Sequence, residues 1–173
     1  GWTLVSIDQL TNLVTSGSRG WKAYYAEDGS IFIRSQDIRT DKLNLAEVAH
    51  VRLPKNSEGM RTRVKRHDLL VTITGANVGR AALFDVELTT AYVSQHVGLI
   101  RFVITRSVRF VHIYITAPDD GRRRLIASAY GAGKPGLNLQ ILRELPIPLP
   151  RLAEQSQIVR EVERRLSAAD RLL

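Results

Sequence analysis

Short runs of β-branched and aromatic residues, separated by glycine-rich turns, dominate the first two thirds of the chain. Such runs are typical of β-strands, because branched side chains fit the pleated surface of a sheet. They predict a loop at 15–20, a capped helical turn after Ser35 and a turn at 75–79. The predicted strands are 2–7 (running into a helical start), 31–34, 68–74, 81–84, 92–93 and 96–102.

The last third of the chain begins with a segment whose hydrophobic pattern does not clearly indicate either a strand or a helix. Residues 108–116 fit strand and helix periods poorly, but the spacing of their larger apolar residues by three or four positions favours a helix. A glycine-rich connector is predicted at 131–136. Proline alternates with large aliphatic residues at 145–150, and because proline has no backbone N–H, this stretch is predicted to be an extended edge segment.

An amphipathic helix is predicted over 154–173. Its apolar residues follow one another at steps of 4, 4, 3 and 4. They are Ile158, Val162, Leu166, Ala169 and Leu173. An apolar stripe of this kind is buried either on its own domain or on a partner helix, and the sequence leaves both alternatives open.

Together these elements predict an α+β fold. A single mixed globular domain with a twisted, mainly antiparallel sheet is expected at 1–150, followed by a long C-terminal amphipathic helix at 151–173. The 173 residues, 44% of them hydrophobic, suit one folded domain and exclude intrinsic disorder. Gly1 is not an initiator residue, so we expect the chain to be a piece of a longer protein.

Charge and cysteine content narrow the function further. Lys and Arg outnumber Asp and Glu by 25 to 17, a net charge of +8 that favours a polyanionic partner, with an incidental surplus as the alternative. The absence of cysteine excludes disulfides, thiol catalysis and Cys-ligated metals. No stretch approaches the roughly 18 apolar residues of a membrane span, and no signal-peptide pattern begins the chain. We therefore expect a cytoplasmic protein without a membrane partner.

Sequence patterns for catalysis are absent. The chain has no Pro-Pro pair, so the Asn/Asp-Pro-Pro-aromatic tetrad of base methylation cannot form. The glycine-rich stretch at 131–134 lacks the leading glycine and the Ser/Thr of a phosphate-binding loop. No lysine follows a carboxylate by two positions, and the four histidines lack metal-binding spacing. We predict no catalytic residue and no metal site.

Several motifs, in order along nearly the whole chain, carry a resemblance to a known family. They are a Trp-x-Leu strand at 2–4, a Ser-Gly loop at 16–17, IFIRSQDI at 31–38, DLLVTITGANVG at 68–79, VSQHVGLIR at 93–101, LPIPLP at 145–150 and EQSQIV at 154–159. Each motif is modest alone, but their order is specific. The chain resembles the target recognition domain of the specificity subunit of bacterial type I restriction–modification systems. It departs from that family in having one such domain where members usually carry two joined by long helices.

The resemblance implies sequence-specific recognition of one half of a bipartite duplex DNA target, through loops that enter the major groove. It implies a non-catalytic chain whose partners are modification (methyltransferase) subunits, a restriction (motor-nuclease) subunit, and a second recognition domain or a second copy. S-adenosylmethionine, Mg and ATP would then be bound by those partner subunits, with no cofactor on this chain.

Basic and amide side chains on loops are the candidate DNA contacts, since phosphates attract cations and base edges pair with Arg, Asn or Gln. The candidates are Arg19, Lys22, Arg34, Arg39, Arg61, Arg63, Lys65, Arg66, Asn77 and Lys134. Several have a structural alternative. The basic residues of 61–66 could form a solvated face, Asn77 an ordinary turn residue, and Trp21, beside Lys22, a core anchor.

Two other functions stay open at this stage. The chain could be the recognition segment of a fused methyltransferase–endonuclease polypeptide. It could also be a helical assembly module whose positive charge is incidental.

Overall fold

The computed structural model of the protein describes residues 1–55, 58–87, 89–131 and 136–171. The strands are β1 (Thr3–Ser6), β2 (Thr11–Ser16), β3 (Tyr25–Ala26), β4 (Ser30–Ile33), β5 (Ile38–Arg39), β6 (Lys42–Leu43), β7 (Ala49–Val51), β8 (Asp68–Thr72), β9 (Ala81–Phe84), β10 (Ala91–Val93), β11 (Val97–Phe102) and β12 (Pro146–Leu149). The helices are α1 (Ile7–Leu10), α2 (Val108–Thr116), α3 (Gly121–Ala127), α4 (Leu139–Glu144) and α5 (Leu152–Asp170). Short 3-10 helices lie at Trp21–Tyr24, Ser35–Asp37, Glu58–Thr62 and Thr105–Ser107. The α+β class that the sequence predicts is confirmed.

The central sheet is antiparallel, with the strand order β2-β11-β8-β9. Both of its faces are covered, because successive side chains of a strand point to opposite sides. On β8, Leu69 and Val71 pack on the helical side of the sheet, whereas Leu70 packs on the other side. This explains why β8 is a continuous run of buried residues without polar alternation.

A second sheet, ordered β10-β4-β7-β3, lies over the face that Leu70 occupies. Its β10–β4 pair is parallel and its other pairs are antiparallel. Ile33 and Val93 face the central sheet, while Phe32 and Tyr92 face outward and pack on Trp21. Because side chains alternate along its strands, the second sheet contributes to two hydrophobic clusters, one on each of its faces.

Helices α2 and α4 cover the other face of the central sheet. Phe110 and Val111 of α2 and Leu142 of α4 are buried in the largest hydrophobic cluster, together with Ile100 of β11. The helix predicted at 108–116 is confirmed as α2. Its 3.6-residue repeat places the apolar side chains on one face, which packs on the sheet.

Strand β12 contains the proline-alternating segment and pairs antiparallel with β1 in a sheet of two strands. Ile147 is fully buried, and Val5 lies opposite it in the register. Pro146 and Pro148 are tolerated because a two-stranded sheet requires no second ladder of N–H donors. The predicted extended edge segment is thus confirmed.

Helix α5 follows β12 and begins two residues earlier than predicted. Its Gln155 side chain is 2% exposed and donates from Nε2 to the carbonyl oxygen of Pro150 at 2.8 Å. Ile158 and Val159 pack against the main core, whereas Leu166 is 60% exposed. The two alternatives for the apolar stripe therefore apply to different parts of the helix, since Ile158 packs on the core, Val162 is half-buried, and Leu166 is exposed.

Other sequence predictions need correction. The loop predicted at 15–20 is wrong for Thr15 and Ser16, which complete β2 and pair with β11. The elements β2, β7, α4 and the β5–β6 hairpin were not predicted, because they are short and lack a clear period. The predicted connector lies outside the described residues at 132–135, which include Lys134, and so does Leu173.

Candidate nucleic-acid interface

The basic segment 61–66 links a 3-10 helix to β8 and alternates between buried and exposed positions. Thr62 and Val64 are 0% and 4% exposed, and Val64 donates its N–H to the carbonyl oxygen of Ala91 at 2.8 Å. Arg63 forms an isolated antiparallel β-bridge with Tyr92. The extended backbone therefore directs the side chains of Arg63 and Lys65 to the surface.

A concavity of about 990 Å³ opens beside this segment, and we call it the basic concavity. Five cationic side chains line it: Arg61, Arg63, Lys65, Arg66 and Arg101. Among its described lining residues, Glu87 is the one carboxylate. The structure thus brings four of the predicted DNA contacts together and adds Arg101, a residue that was not among them.

Arg101 is anchored by Asp68 at the rim of this concavity. Its Nε donates to Asp68 Oδ1 at 2.8 Å, and its Nη2 donates to Asp68 Oδ2 at 2.7 Å. The Asp68 side chain is 1% exposed and that of Arg101 20%. A single arginine in the apolar run 96–102 is the sequence signal that could have identified this position.

Two of the predicted cations are partly engaged within the protein. Arg61 donates to the Thr15 hydroxyl, to the carbonyl oxygen of Ser16 at 3.2 Å and to the Ser18 hydroxyl at 3.4 Å. Arg66 forms an ion pair with Glu87. Both pairings leave the guanidinium groups beside the concavity, where their charge still contributes to the local field.

Arg19 on a loop and Lys22 in the adjoining 3-10 helix Trp21–Tyr24 lie next to the same region. Arg61 contacts this loop through Ser18, and both Arg19 and Lys22 are exposed. Trp21 between them is 6% exposed and stacks on Phe32 with ring centroids 5.5 Å apart. Trp21 is therefore a core anchor that fixes the loop, and it does not present its ring to a ligand.

Arg34, Arg39 and Asn77 belong to a separate group around the 3-10 helix Ser35–Asp37. The Arg34 guanidinium donates to both oxygens of Asp37, at 3.1 and 3.0 Å, and to the Glu47 carbonyl oxygen at 2.9 Å. The hydrogen bond with Asp37 raises the pKa of Arg34 above its ordinary value. Arg34 thus has a structural role whether or not it contacts DNA.

Arg39 and Asn77 are also tied to this 3-10 helix. Arg39 donates to the carbonyl oxygen of Gln36 at 3.0 Å but stays exposed. Asn77 donates its amide to the Ser35 carbonyl oxygen at 3.3 Å, from a turn that Gly75 and Gly79 enter and leave with φ of 101° and 81°. The DNA-contact assignments of these residues stay predictions.

Asp41 is the centre of a charge cluster that the sequence did not indicate. It sits in the β5–β6 turn with φ of 61°, accepts the Ala81 N–H at 3.1 Å, and pairs with Arg80 at 3.2 Å and Arg122 at 2.5 Å. Burial alone would raise the pKa of Asp41, but the hydrogen bonds from Arg122 and Ala81 outweigh it and the pKa is lowered. The cluster fixes the hairpin against β9 and α3.

The exposed part of α5 borders an apolar groove of about 760 Å³ between α2, α5 and the β5–β6 hairpin. Val162 and Leu166 line it, and Ala169 is exposed further along the helix. Ile158 instead packs on the protein's own core. Of the predicted interface residues, Ile158 is thus partly engaged within the domain, Val162 is half-buried at the groove, and Leu166 and Ala169 are exposed.

In the part of the chain that the structure describes, no helix is long and apolar enough to span a bilayer. Within the same residues, no group of His, Asp and Glu side chains could hold a metal ion.

Two sequence comparisons indicate the same family. A sequence profile described as type I restriction modification DNA specificity domain matches residues 2–168. The chain is 30% identical over 146 residues to the specificity subunit of the type I restriction enzyme EcoBI of Escherichia coli, covering 83% of this chain and 30% of that protein. The chain therefore spans less than a third of that relative.

Solved structures show the same fold. One, from work on complex assembly and conformational transition of the type I restriction–modification system, aligns with a TM-score of 0.73 at 16% identity, over 99% of this chain and 40% of the other. The HsdS subunit of Thermoanaerobacter tengcongensis aligns with a TM-score of 0.67 at 16% identity, over 99% and 40%.

Proposed function

Since the chain belongs to the family of type I restriction modification DNA specificity domains, we propose that it binds duplex DNA through the basic concavity and recognises one half of a bipartite target. The observation that carries this proposal is the convergence of Arg61, Arg63, Lys65, Arg66 and Arg101 on one concave surface. Duplex DNA is a dense line of phosphates, and cations that neutralise them release condensed counterions, which drives binding.

Within the concavity, Arg63 and Lys65 are the cations best suited to contact phosphates. Both side chains are exposed, and among the described residues no carboxylate pairs with either. A phosphate that approaches them has no internal ion pair to displace. Arg61 and Arg66 already have partners, so their contribution is expected to be smaller.

Sequence recognition would come from loops near these phosphate contacts. Arg19 lies on a loop that Arg61 contacts through Ser18, and Lys22 lies in the adjoining 3-10 helix that Trp21 anchors in the core. Residues on a rigid scaffold reach base edges at a small entropic cost. We therefore retain Arg19 and Lys22 as the first candidates for base contacts.

The chain would act without chemistry of its own. We propose that modification subunits carry out methylation of DNA and that a restriction subunit cleaves it, with S-adenosylmethionine, Mg and ATP bound on those partners. Residues 1–150 would form the recognition domain, and 151–173 would begin the helix that contacts the modification subunits. The exposed Leu166 at the apolar groove supports this division.

A single domain would recognise only half of the target. The chain covers 30% of the Escherichia coli subunit and 40% of the HsdS chain that it matches. We propose that the other half is recognised by a second recognition domain or by a second copy. Binding to an isolated half-site is then expected to be weaker than binding to a complete site, because fewer contacts form.

Salt-dependent DNA binding by the purified protein tests the proposal. Affinity for a 30-base-pair duplex of mixed sequence would be measured between 50 and 200 mM KCl for the wild type and for Arg63→Ala/Lys65→Ala. Loss of two phosphate contacts is expected to reduce the slope of log K against log salt by about 1.8. The control Arg160→Ala/Arg165→Ala removes the same charge from α5 and is expected to keep the slope of the wild type.

Selection from a random duplex library tests the sequence preference separately. Enrichment of one short motif is expected for the wild type. Failure to enrich any motif would contradict sequence recognition, and absence of measurable binding at 50 mM KCl would contradict the proposed function altogether.

A further inference from the structure

We propose that the ion pair between Asp68 and Arg101 is a positioning device that holds the backbone of residues 63–68 so that Arg63 and Lys65 face the DNA. The inference rests on the proposed function, since it assigns two further residues to the same surface. Asp68 and Arg101 act mainly through the segment that they hold, so both are positioning residues.

The contacts of the pair reach both ends of the stretch 63–68. Arg101 Nη2 donates to the carbonyl oxygen of Arg63 at 3.0 Å as well as to Asp68. Asp68 Oδ2 accepts the backbone N–H of Lys65 at 2.7 Å, and the backbone N–H of Asp68 bonds the Lys65 carbonyl oxygen at 3.0 Å. One guanidinium and one carboxylate thereby fix the backbone at Arg63, Lys65 and Asp68.

The position of the pair in the sheet makes this arrangement rigid. The β8–β11 register pairs Leu69 with Ile100 and Leu70 with Leu99, and Asp68 and Arg101 are the next residues along the two strands. The flanking Leu70 and Leu99 are fully buried. The ion pair is thus held by the two central strands of the molecule, and the basic segment takes its position from them.

Stability alone gives a poor account of such a pair. Transferring a carboxylate and a guanidinium out of water costs free energy that their attraction often only offsets, and apolar residues in the same place are frequently as stable. A role in fixing the backbone explains the pair better, because Arg101 donates to the Arg63 carbonyl oxygen and Asp68 accepts the Lys65 N–H.

The expected benefit to binding is entropic. A free segment must be ordered when it meets the phosphates, whereas a segment fixed in advance avoids that cost. Releasing the segment is therefore expected to weaken binding without any change in net charge.

Arg101→Lys tests this expectation, because it keeps the charge but removes the planar fork that bonds both Asp68 and the Arg63 carbonyl. Affinity for the 30-base-pair mixed-sequence duplex is expected to fall about tenfold at 100 mM KCl, the cost of ordering two side chains. The salt slope is expected to stay close to that of the wild type, because the same phosphates are contacted once the segment is ordered. Trypsin cleavage after Arg63 and Lys65 is expected to become faster than in the wild type.

Arg143→Lys is the matched control. Arg143 also bonds a backbone carbonyl, that of Val14 at 2.7 Å, and lies 3.5 Å from a carboxylate oxygen of Asp8, but it is on α4, away from the concavity. Its affinity for the duplex is expected to stay within twofold of the wild type. Urea midpoints of both variants would be compared, and an equal loss of affinity in both would show a merely structural effect and overturn the proposal.

A second variant covers the case in which Arg101→Lys fails to fold. Asp68→Asn/Arg101→Gln removes both charges, leaves no unpaired buried ion and keeps the net charge. It is expected to show weaker binding together with the same faster trypsin cleavage after Arg63 and Lys65, which reports on the segment itself. Wild-type affinity and a wild-type rate of trypsin cleavage in whichever variant folds would overturn the inference, whereas a wild type that does not bind DNA would overturn the proposed function instead.

Discussion

A Cβ atom on Gly17 would lie 2.0 Å from the carbonyl oxygen of Val93, while the Gly17 N–H bonds the Ser94 carbonyl oxygen at 3.2 Å. This close approach joins the end of β2 in the central sheet to the end of β10 in the second sheet. It also sets where the loop that carries Arg19 begins. Any side chain at position 17 would have to move backbone atoms.

Gly17→Ala is therefore expected to destabilise the protein by about 1–3 kcal/mol, the usual cost of overpacking. Urea unfolding measures the effect. Gly1→Ala is the control, since nothing lies within 4 Å of a Cβ at that position. Equal stability of the two variants would show that the contact between the sheets is not tight.

Asp41→Asn is expected to destabilise the protein by about 1.5–3 kcal/mol, because it removes the charged partner of the partly buried Arg122. The Arg122 side chain is 12% exposed. Asparagine tolerates the left-handed backbone of this turn, so the variant removes the charge at position 41 without straining the backbone. Asp28→Asn is the control, since it breaks a pair whose side chains are 70% and 71% exposed and should cost less than about 1 kcal/mol. Similar urea midpoints would contradict a central role for Asp41.

The buried imidazole of His112 predicts a pH dependence of stability. Burial lowers its pKa below the ordinary 6.5, and the Ala81 carbonyl oxygen, 3.0 Å from Nε2, opposes this shift only in part. Between the lowered pKa and 6.5, the unfolded chain binds a proton that the folded protein does not. The stability contribution of His112 is thus complete above pH 6.5, and it is lost as the pH falls from 6.5 through the lowered pKa of the folded protein.

Urea midpoints at pH 7.5 and 5.5 would measure this effect in the wild type and in His112→Gln, which can still donate to the Ala81 carbonyl. The wild type is expected to lose more stability than the variant over this interval. Parallel losses would show that His112 does not carry the pH dependence.

Leu166→Asp is expected to weaken association with a modification subunit while leaving the domain folded. Its side chain is 60% exposed, so unfolding free energy should change by less than about 0.5 kcal/mol. Val162→Asp/Leu166→Asp should abolish the association, because both residues line the apolar groove. Co-purification with the modification subunit measures it.

Ile158→Ala is the control on the same helix. Ile158 packs on the protein's own core, so its loss should lower stability by about 1–2 kcal/mol with little effect on association. If Leu166→Asp unfolds the domain instead, the exposed part of α5 belongs to the core and is not an assembly surface.

Local patterns in the sequence determined much of this protein. The strands β8, β9 and β11, helix α2, the proline-alternating β12 and most of α5 follow from side-chain type and spacing, because these elements are set by neighbours two to four residues away. The order of the motifs also identified the family. The basic run 61–66 was visible as a surface candidate, since its exposed and buried positions alternate.

The tertiary structure decided which distant residues meet. The pairing of β8 with β11 brings Asp68 and Arg101 into an ion pair, and the packing of the β5–β6 hairpin joins Asp41 to Arg122. Trp21 is a core residue because it stacks on Phe32, and in α5 Ile158 packs on the core while Leu166 is exposed. Contacts of this kind depend on strand pairing and sheet stacking over many residues, and the free energies that choose between registers are sums over the whole core. No local pattern contains that information.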